Sequence, residues 1–193
     1  MRIAILAVQG AFAEHEAKLK SLGAECIELR KKEDLEKGFD GLVLPGGEST
    51  VQGKLLKELD LFDALKEKIK EGMPVLATCA GLILLAGKLS NDDHVYFGTL
   101  PVTVKRNAYG RQLGSFHTVQ EMKGMGPVPM TFIRAPYIEK TDEAVEVLAV
   151  VDGNTVAVRY GSQYGLSFHP ELDEDNRIHE RFLDECRLWS TRL

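Results

Sequence analysis

The chain has 193 residues, of which 44% are hydrophobic and 27% charged, and its formal net charge is −5. These values are typical of one globular domain with a substantial core, and the length is too short for two comfortable domains. No long run of Lys or Arg is present, so neither a nucleic acid nor a membrane surface is an expected partner. No apolar stretch approaches the roughly eighteen residues that a membrane span requires.

Three widely spaced cysteines, Cys26, Cys79 and Cys186, are present. An odd number at this spacing indicates neither a disulfide framework nor a paired metal site. The apolar run at residues 2–8 lacks the basic leader and the cleavage site of a signal peptide, so it is interpreted as a first strand. We therefore expect a cytoplasmic protein in which residues 1–193 form a single domain.

Strand and helix patterns alternate in the first half of the chain. Buried strands are predicted at residues 2–8, 24–29, 41–44 and 74–78. Helices are predicted at residues 11–22, 50–71 and 80–89. Alternation of this kind is typical of an α/β fold with a parallel sheet and helices on both faces.

The second half of the chain changes character. Short strand-like runs occur at residues 102–104, 130–133, 145–151, 155–160 and 165–168. The dipeptide Asp152-Gly153 predicts a hairpin turn between two of these runs. A final helix is predicted at residues 174–190, and there is no internal repeat or linker.

Cys79 is the candidate nucleophile, because it lies between a predicted buried strand and a predicted buried helix. Its small neighbours, in the run ATCAG at residues 77–81, permit a sharp turn like the nucleophile elbow of hydrolases. Such a turn opens at the carboxyl edge of a parallel sheet, where α/β sites lie. The positive end of the following helix favours a thiolate, and the Ala80 N–H is placed to help bind an oxyanion. The alternative is that Cys79 is a small buried hydrophobe.

His169 is the candidate base among five histidines, because it directly follows a strand and opens the triplet His169-Pro170-Glu171. In an extended segment residues two apart point the same way, and proline favours extended backbone before it. His169 and Glu171 should then project to one side, with the carboxylate orienting the imidazole. A surface turn is the alternative for the triplet alone. The other histidines, expected in a helix, a polar loop, beside a strand and on the last helix, are His15, His94, His117 and His179.

A glycine loop, PGGEST at residues 45–50, ends the third strand on the same edge as Cys79. Adjacent glycines allow the backbone to turn its N–H groups toward a ligand. A phosphate-binding P-loop is excluded, because Lys54 comes one position too late and lacks the following hydroxyl. The alternative is a tight turn, but the position beside Cys79 favours an oxyanion role for the Gly47 amide.

Six segments together carry a resemblance to a known family. They are LAVQG at residues 6–10, LPGGEST at 44–50, TCAGLILLA at 78–86, RNAYGRQ at 106–112, FIRAP at 132–136 and SFHPEL at 167–172. The chain resembles the class I glutamine amidotransferases along nearly its whole length, and more closely the glutaminase subunits of pyridoxal 5'-phosphate synthase (the PdxT/SNO family). The cysteine turn and the His-Pro-Glu triplet are shared across class I, whereas RNAYGRQ and FIRAP mark the vitamin B6 branch.

The resemblance implies a flavodoxin-like three-layer sandwich, around a mostly parallel sheet, that hydrolyses L-glutamine to L-glutamate and ammonia with a triad of Cys79, His169 and Glu171. It implies no cofactor and no metal, and an oxyanion hole formed by Gly47 and Ala80. The ammonia is expected to pass to a (β/α) barrel synthase subunit, which combines it with a pentose phosphate and a triose phosphate. The residues that the family uses to hold glutamine correspond to Gly47, Glu48, Ser49, Arg106, Ile133 and Arg134. Without the family, Arg106 and Arg134 would be interpreted as surface charges.

Three other functions remain open at this point. Another class I glutaminase would share the triad but lack RNAYGRQ and FIRAP. A cysteine hydrolase or peptidase on a related α/β fold would share the cysteine turn. A non-catalytic stress-response or scaffold protein would use Cys79 as a redox sensor.

Overall fold

The computed structural model of the chain describes residues 1–109 and 114–192. Residues 110–112 of the RNAYGRQ segment lie outside this part. The strands of the described part are β1 (Arg2–Leu6), β2 (Glu25–Leu29), β3 (Gly41–Leu44), β4 (Val75–Thr78), β5 (Ala86–Leu89), β6 (Leu100–Lys105), β7 (Ser115–Met122), β8 (Gly126–Ile133), β9 (Tyr137–Thr141), β10 (Glu146–Val151), β11 (Asn154–Tyr160) and β12 (Gln163–Leu166). The helices are α1 (Phe12–Ser21), α2 (Ser49–Glu58), α3 (Phe62–Lys70), α4 (Ala80–Leu85) and α5 (Arg177–Ser190), with 3-10 helices at Lys32–Lys37 and Pro170–Leu172.

One large sheet holds ten of these strands, and its central part is parallel. Its order is β2-β1-β3-β4-β12-β11-β9-β6-β5, with β10 paired to β11. The first five strands of this order are all parallel, whereas β12, β11, β9 and β6 continue it in antiparallel fashion. The hairpin of β7 and β8 forms a separate two-stranded sheet. The carboxyl ends of β1, β3, β4 and β12 therefore meet along one edge.

Two hydrophobic cores, one on each face of the sheet, create three layers. Side chains alternate between faces along a strand, so Ile3 and Ile5 of β1 enter one core while Ala4 and Leu6 enter the other. The first core receives residues from α1 and α5, and the second receives residues from α2, α3 and α4. The predicted single-domain α/β fold with helices on both faces is confirmed by this architecture and by the structural comparison given below. None of the described helices has the length and apolar character needed to span a bilayer.

Several predicted elements are wrong in extent. The helix predicted at residues 50–71 is two helices, because the chain turns at Asp60, which has a φ of 55°. The helix predicted at residues 80–89 ends at Leu85, and β5 follows it. The last helix begins at Arg177 rather than at residue 174. Strands β7 and β9 were not predicted, whereas the hairpin turn at Asp152-Gly153 is confirmed.

Candidate active site

A cleft of about 1040 Å³ opens at the carboxyl edge of the parallel strands. The loops after β1, β3, β4 and β8 and the segment after β12 all contribute to its walls. Its lining includes every residue that the sequence singled out except Glu171, namely Gly47, Glu48, Ser49, Cys79, Ala80, Arg106, Ile133, Arg134 and His169. Glu171 lies directly behind His169.

Cys79 forms a strained turn between β4 and α4. Its φ is 51° and its ψ is −103°, a combination that residues with a side chain rarely adopt. The turn is held from both sides, because the Cys79 N–H donates to the Leu166 carbonyl (2.8 Å) and the sulfur lies 4.0 Å from the Ile133 carbonyl oxygen. Ala80 is the first residue of α4, so the helix itself does not use its N–H. The thiol is consequently aimed into the cleft beside a backbone donor.

Gly81, two residues after the cysteine, must be small because α4 begins close to the backbone of β3. A Cβ at Gly81 would lie 2.0 Å from the Leu44 carbonyl oxygen at the end of β3. Only glycine therefore allows α4 to begin this close to the neighbouring strand. The predicted elbow geometry depends on this approach.

His169 and Glu171 are joined by a short hydrogen bond. The His169 Nδ1 lies 2.6 Å from Glu171 Oε1, which leaves Nε2 as the ring nitrogen that can serve the cleft. The expectation of an extended segment is wrong, because Pro170 begins a 3-10 helix in which His169 is the N-cap. The one-turn helix nevertheless brings the two side chains together, and the His169 N–H donates to the Thr131 carbonyl (2.8 Å) to fix the turn on β8.

The electrostatics of the pair favour a charged imidazole. Burial has the largest influence on His169 and lowers its pKa, but the interaction with Cys79 and the hydrogen bond with Glu171 outweigh burial and raise the pKa to about 10. Burial alone would raise the pKa of Glu171, yet the neighbouring His15 and His169 lower it below its ordinary value. The arrangement therefore stabilises an imidazolium between an ionised carboxylate and the cysteine sulfur.

The glycine loop is locked to the loop that follows β1. A Cβ at Gly10 would lie 1.9 Å from the Gly46 carbonyl oxygen, so the two backbones are in direct contact. The Gln9 side chain accepts the Glu48 N–H (2.8 Å), and the Gln52 amide donates to the Gln9 and Pro45 carbonyls (3.2 Å each). The Ala11 N–H also donates to the Gly46 carbonyl (3.0 Å). The run LAVQG thus supports the glycine loop, a role that the sequence pattern did not predict.

Charged and polar groups occupy the remaining wall of the cleft. The Arg106 guanidinium pairs with Asp92 (2.6 Å), and the Asn91 side chain bonds both the N–H and the carbonyl of Arg106. Arg134 has a φ of 45° and follows Ile133, whose carbonyl faces the cysteine. Glu48 is exposed in the cleft, whereas Ser49 is buried at the start of α2.

Two buried histidines were missed by the sequence analysis. His15 of α1 lies 3.3 Å from the second oxygen of Glu171 and 2.9 Å from His179 of α5. A histidine on a helix gives no sequence signal that separates a core position from a site position. The order of the strands, which brings α1 next to the His-Pro-Glu turn, is needed to see this contact.

Comparison with known proteins identifies the family of the chain. The model of the SNO glutamine amidotransferase family matches residues 5–188. The chain belongs to this family. The resemblance drawn from the six sequence segments is thereby confirmed.

Individual relatives are similar over almost their whole length. The chain is 65% identical to "Pyridoxal 5'-phosphate synthase subunit PdxT" of Desulfitobacterium hafniense (strain DSM 10664 / DCB-2), covering 95% of this chain and 92% of the relative. It is 49% identical to the protein of the same name from Streptococcus pneumoniae serotype 2 (strain D39 / NCTC 7466), covering 97% and 98%. A solved structure described as "Crystal structure of glutamine amidotransferase" superposes with a TM-score of 0.90 at 44% identity, covering 95% and 98%.

Proposed function

We propose that this chain hydrolyses the side-chain amide of L-glutamine to L-glutamate and ammonia, with Cys79 as nucleophile, His169 as general base and Glu171 as its orienting carboxylate. The ammonia goes to a synthase subunit that makes pyridoxal 5'-phosphate, as the names of the relatives suggest. The observation that carries the proposal is the placement of His169 at the cleft, with Nδ1 held by Glu171 at 2.6 Å. Membership of a glutamine amidotransferase family supports the choice of substrate.

The chemistry is an acyl transfer in two halves. His169 Nε2 takes the thiol proton, which forms the imidazolium that Glu171 stabilises, and the Cys79 sulfur attacks the amide carbon of glutamine. The resulting oxyanion accepts hydrogen bonds from the N–H groups of Ala80 and Gly47. His169 then gives the proton to the leaving nitrogen, ammonia departs, and a thioester remains. A water molecule, deprotonated by the same imidazole, attacks the thioester, and glutamate leaves as the thiol is restored.

Recognition of free glutamine requires both signs of charge. Its ammonium group needs an acceptor, for which Glu48 is placed in the cleft, and its carboxylate needs donors such as the guanidinium groups of Arg106 and Arg134. The remaining contacts are assigned to the backbone of Gly47 and Ile133 and to the Ser49 hydroxyl. Asp92 restrains Arg106 and so fixes the donor that the substrate meets.

The same chemistry also supports a proposal for the partner subunit and for the cellular location. We assign residues 1–193 to one glutaminase domain that works beside a synthase subunit with a (β/α) barrel. Direct passage of ammonia to that subunit would keep it from being lost to solvent. A catalytic thiol must stay reduced, which favours the cytoplasm as the location.

Replacing Cys79 by alanine tests the proposal. The purified Cys79→Ala variant, mixed with the synthase subunit, should bind glutamine in a calorimetric titration but release no glutamate and support no pyridoxal 5'-phosphate formation. Cys26→Ala is the matched control, because Cys26 lies on β2 away from the cleft and should retain turnover. Turnover by Cys79→Ala would refute the assignment of the nucleophile.

The synthase subunit should also be required for full activity, because the Ala11 N–H holds the Gly46 carbonyl, and turning the Gly47 N–H of the same peptide must break that bond. Glutamate release by the unmodified chain should be slow alone and should rise when the synthase subunit is added. An isolated chain that is already fully active, with no change on adding the partner, would contradict this role of the loop.

A further inference from the structure

A chain of buried polar side chains runs behind the candidate triad. The His179 Nε2 lies 2.9 Å from the His15 Nδ1. The His15 Nε2 lies 3.2 Å from the Thr78 hydroxyl and 3.3 Å from Glu171 Oε2, the oxygen that does not contact His169. Both histidines are completely buried. The reaction steps described above do not use either of them.

The direction of the hydrogen bonds follows from the acceptors. The ionised carboxylate of Glu171 lies 3.3 Å from His15 Nε2 and would repel a lone pair there, so the proton of His15 sits on Nε2, whose hydrogen bond goes to the Thr78 hydroxyl. His15 Nδ1 is then an acceptor, and it receives the Nε2–H of His179. The His179 Nδ1 has no hydrogen-bond partner within residues 1–109 and 114–192. It is left without a proton, which is less costly than a buried N–H with no acceptor.

We propose that His15, held in its Nε2–H tautomer by His179, is the positioning residue of Glu171. The His15 Nε2 is hydrogen-bonded to the Thr78 hydroxyl and lies 3.3 Å from Oε2, so its N–H dipole holds the carboxylate by charge in the orientation that presents Oε1 to His169. This inference rests on the proposed function, because it assigns a role to the residues that support the triad.

The fold brings two parts of the site to helix α1, the end of β4 and the His-Pro-Glu turn. Thr78, which immediately precedes Cys79, is bonded by the same nitrogen that faces Glu171. Lys18, one turn further along α1, donates to the carbonyls of Pro170 (3.2 Å), Asp173 and Asp175 (2.9 Å) and so fixes the turn that carries Glu171. Helix α1 therefore acts as a rigid support for both the end of β4 and the His-Pro-Glu turn.

The histidine must be neutral to serve in this way. Burial lowers the pKa of His15 and lowers that of His179 further below its ordinary value, so both are neutral at neutral pH. The titratable and charged groups that face His15 are Glu171, His169 and His179 from other elements, and Glu14 and Lys18 on its own helix. A neutral donor supports the carboxylate without competing with His169 for its charge, as an imidazolium at position 15 would do.

The test compares His15→Leu with His15→Gln in the presence of the synthase subunit. Leucine fills the space without a polar hydrogen, whereas the glutamine side chain keeps a neutral amide N–H facing the carboxylate of Glu171. For His15→Leu we expect a kcat about tenfold to hundredfold lower, with the KM for glutamine changed little. The acid limb of the kcat/KM profile should move to higher pH by about one unit, because the buried carboxylate loses the N–H dipole that faces it. His15→Gln should recover most of kcat and the original profile.

Coupling to His179 provides a second test. His179→Leu should lower kcat in the unmodified background but have almost no further effect when His15 is already leucine. His117→Gln is the control: this half-exposed histidine of β7 contacts the Asp173 side chain (3.2 Å) and not Glu171, so its removal should leave kcat unchanged. A purely structural role would instead reduce activity in step with the folded fraction, with an unshifted pH profile and no rescue by glutamine. That result would overturn the proposal.

A measurement on the unmodified protein keeps the proposal testable if the leucine variants do not fold. Imidazole ¹⁵N resonances should show His15 and His179 as neutral Nε2–H tautomers from pH 7 to pH 8. An Nδ1–H or charged His15 would overturn the inference. The outcome for Cys79→Ala stands apart, since its turnover decides the proposed function whatever the histidine variants do.

Discussion

Gly46 lies against the imidazole of His169, and this contact permits a quantitative prediction. A Cβ at Gly46 would be 2.4 Å from His169 Cε1 and 3.1 Å from Nδ1. Ordinary van der Waals contact begins at 3.4 Å. Because Gly46 has no positive φ, alanine is compatible with the backbone and the whole perturbation falls on the histidine ring.

The size of the effect follows from these distances. Increasing the distance between the new Cβ and His169 Cε1 from 2.4 Å to 3.4 Å displaces the ring by about 1 Å. This displacement would lengthen the 2.6 Å bond between His169 and Glu171 beyond hydrogen-bonding range, or would turn Nε2 away from the Cys79 sulfur. A misplacement of about 1 Å lowers a catalysed rate by roughly a hundredfold. We therefore expect kcat of Gly46→Ala to fall about a hundredfold, with an overpacking loss in stability of about 1–3 kcal/mol.

The assay is glutamate release with the synthase subunit present, together with far-UV circular dichroism and a thermal unfolding curve to confirm that the variant is folded. Gly87→Ala is the matched control, because its Cβ would be 3.3 Å from the Leu100 carbonyl oxygen, on β5 and outside the cleft lining. A folded Gly46→Ala variant with kcat within threefold of the unmodified protein would refute the argument that this glycine sets the position of His169.

Two further predictions concern acid stability and substrate affinity. Burial lowers the pKa of His15 and His179 below 6.5. As the pH falls past 6.5, the unfolded chain therefore binds more protons than the folded chain. The stability that the two neutral histidines contribute is present above pH 6.5 and is lost as the pH falls below it. Urea unfolding should show that the free energy of unfolding falls from pH 7 to pH 5. This fall should be smaller in His179→Leu than in the unmodified protein or in His117→Gln. Equal falls in all three proteins would contradict the prediction. Asp92→Asn should raise the KM for glutamine roughly twofold to fivefold, with little change in kcat, because Arg106 loses a partly exposed ionic partner. An unchanged KM would show that Asp92 does not restrain the substrate contact.

The sequence predicts the parallel half of the fold well, because buried strands between amphipathic helices give strong patterns. It fails where an apolar run is compatible with more than one structure. Residues 80–89 are almost entirely apolar, and nothing local indicates that the helix ends at Leu85 and that Ala86–Leu89 pairs with β6. The residues of β7 are mostly exposed, so apolar and polar side chains do not alternate along it, and only the pairing with β8 reveals the strand.

The candidate site likewise has residues that the sequence predicts and residues that it does not. Cys79 and the His169-Pro170-Glu171 triplet were found because each stands directly after a predicted strand. The groups that support them come from distant parts of the sequence: Gln9 holds the glycine loop and His15 approaches Glu171 from α1. Such contacts depend on strand order, which a single sequence does not specify.

The unusual backbone conformation of Cys79 is required for activity but lowers the stability of the folded state. A side chain at a φ of 51° and a ψ of −103° lowers the stability of the folded state by about 1–3 kcal/mol relative to a relaxed conformation. Glycine would relieve that strain but would remove the thiol. The surrounding sheet and the fully buried helix α4 must therefore supply the stability that this position gives up. A screen that selects only for thermal stability would be drawn toward substitutions here, and it would recover well-folded chains with no nucleophile.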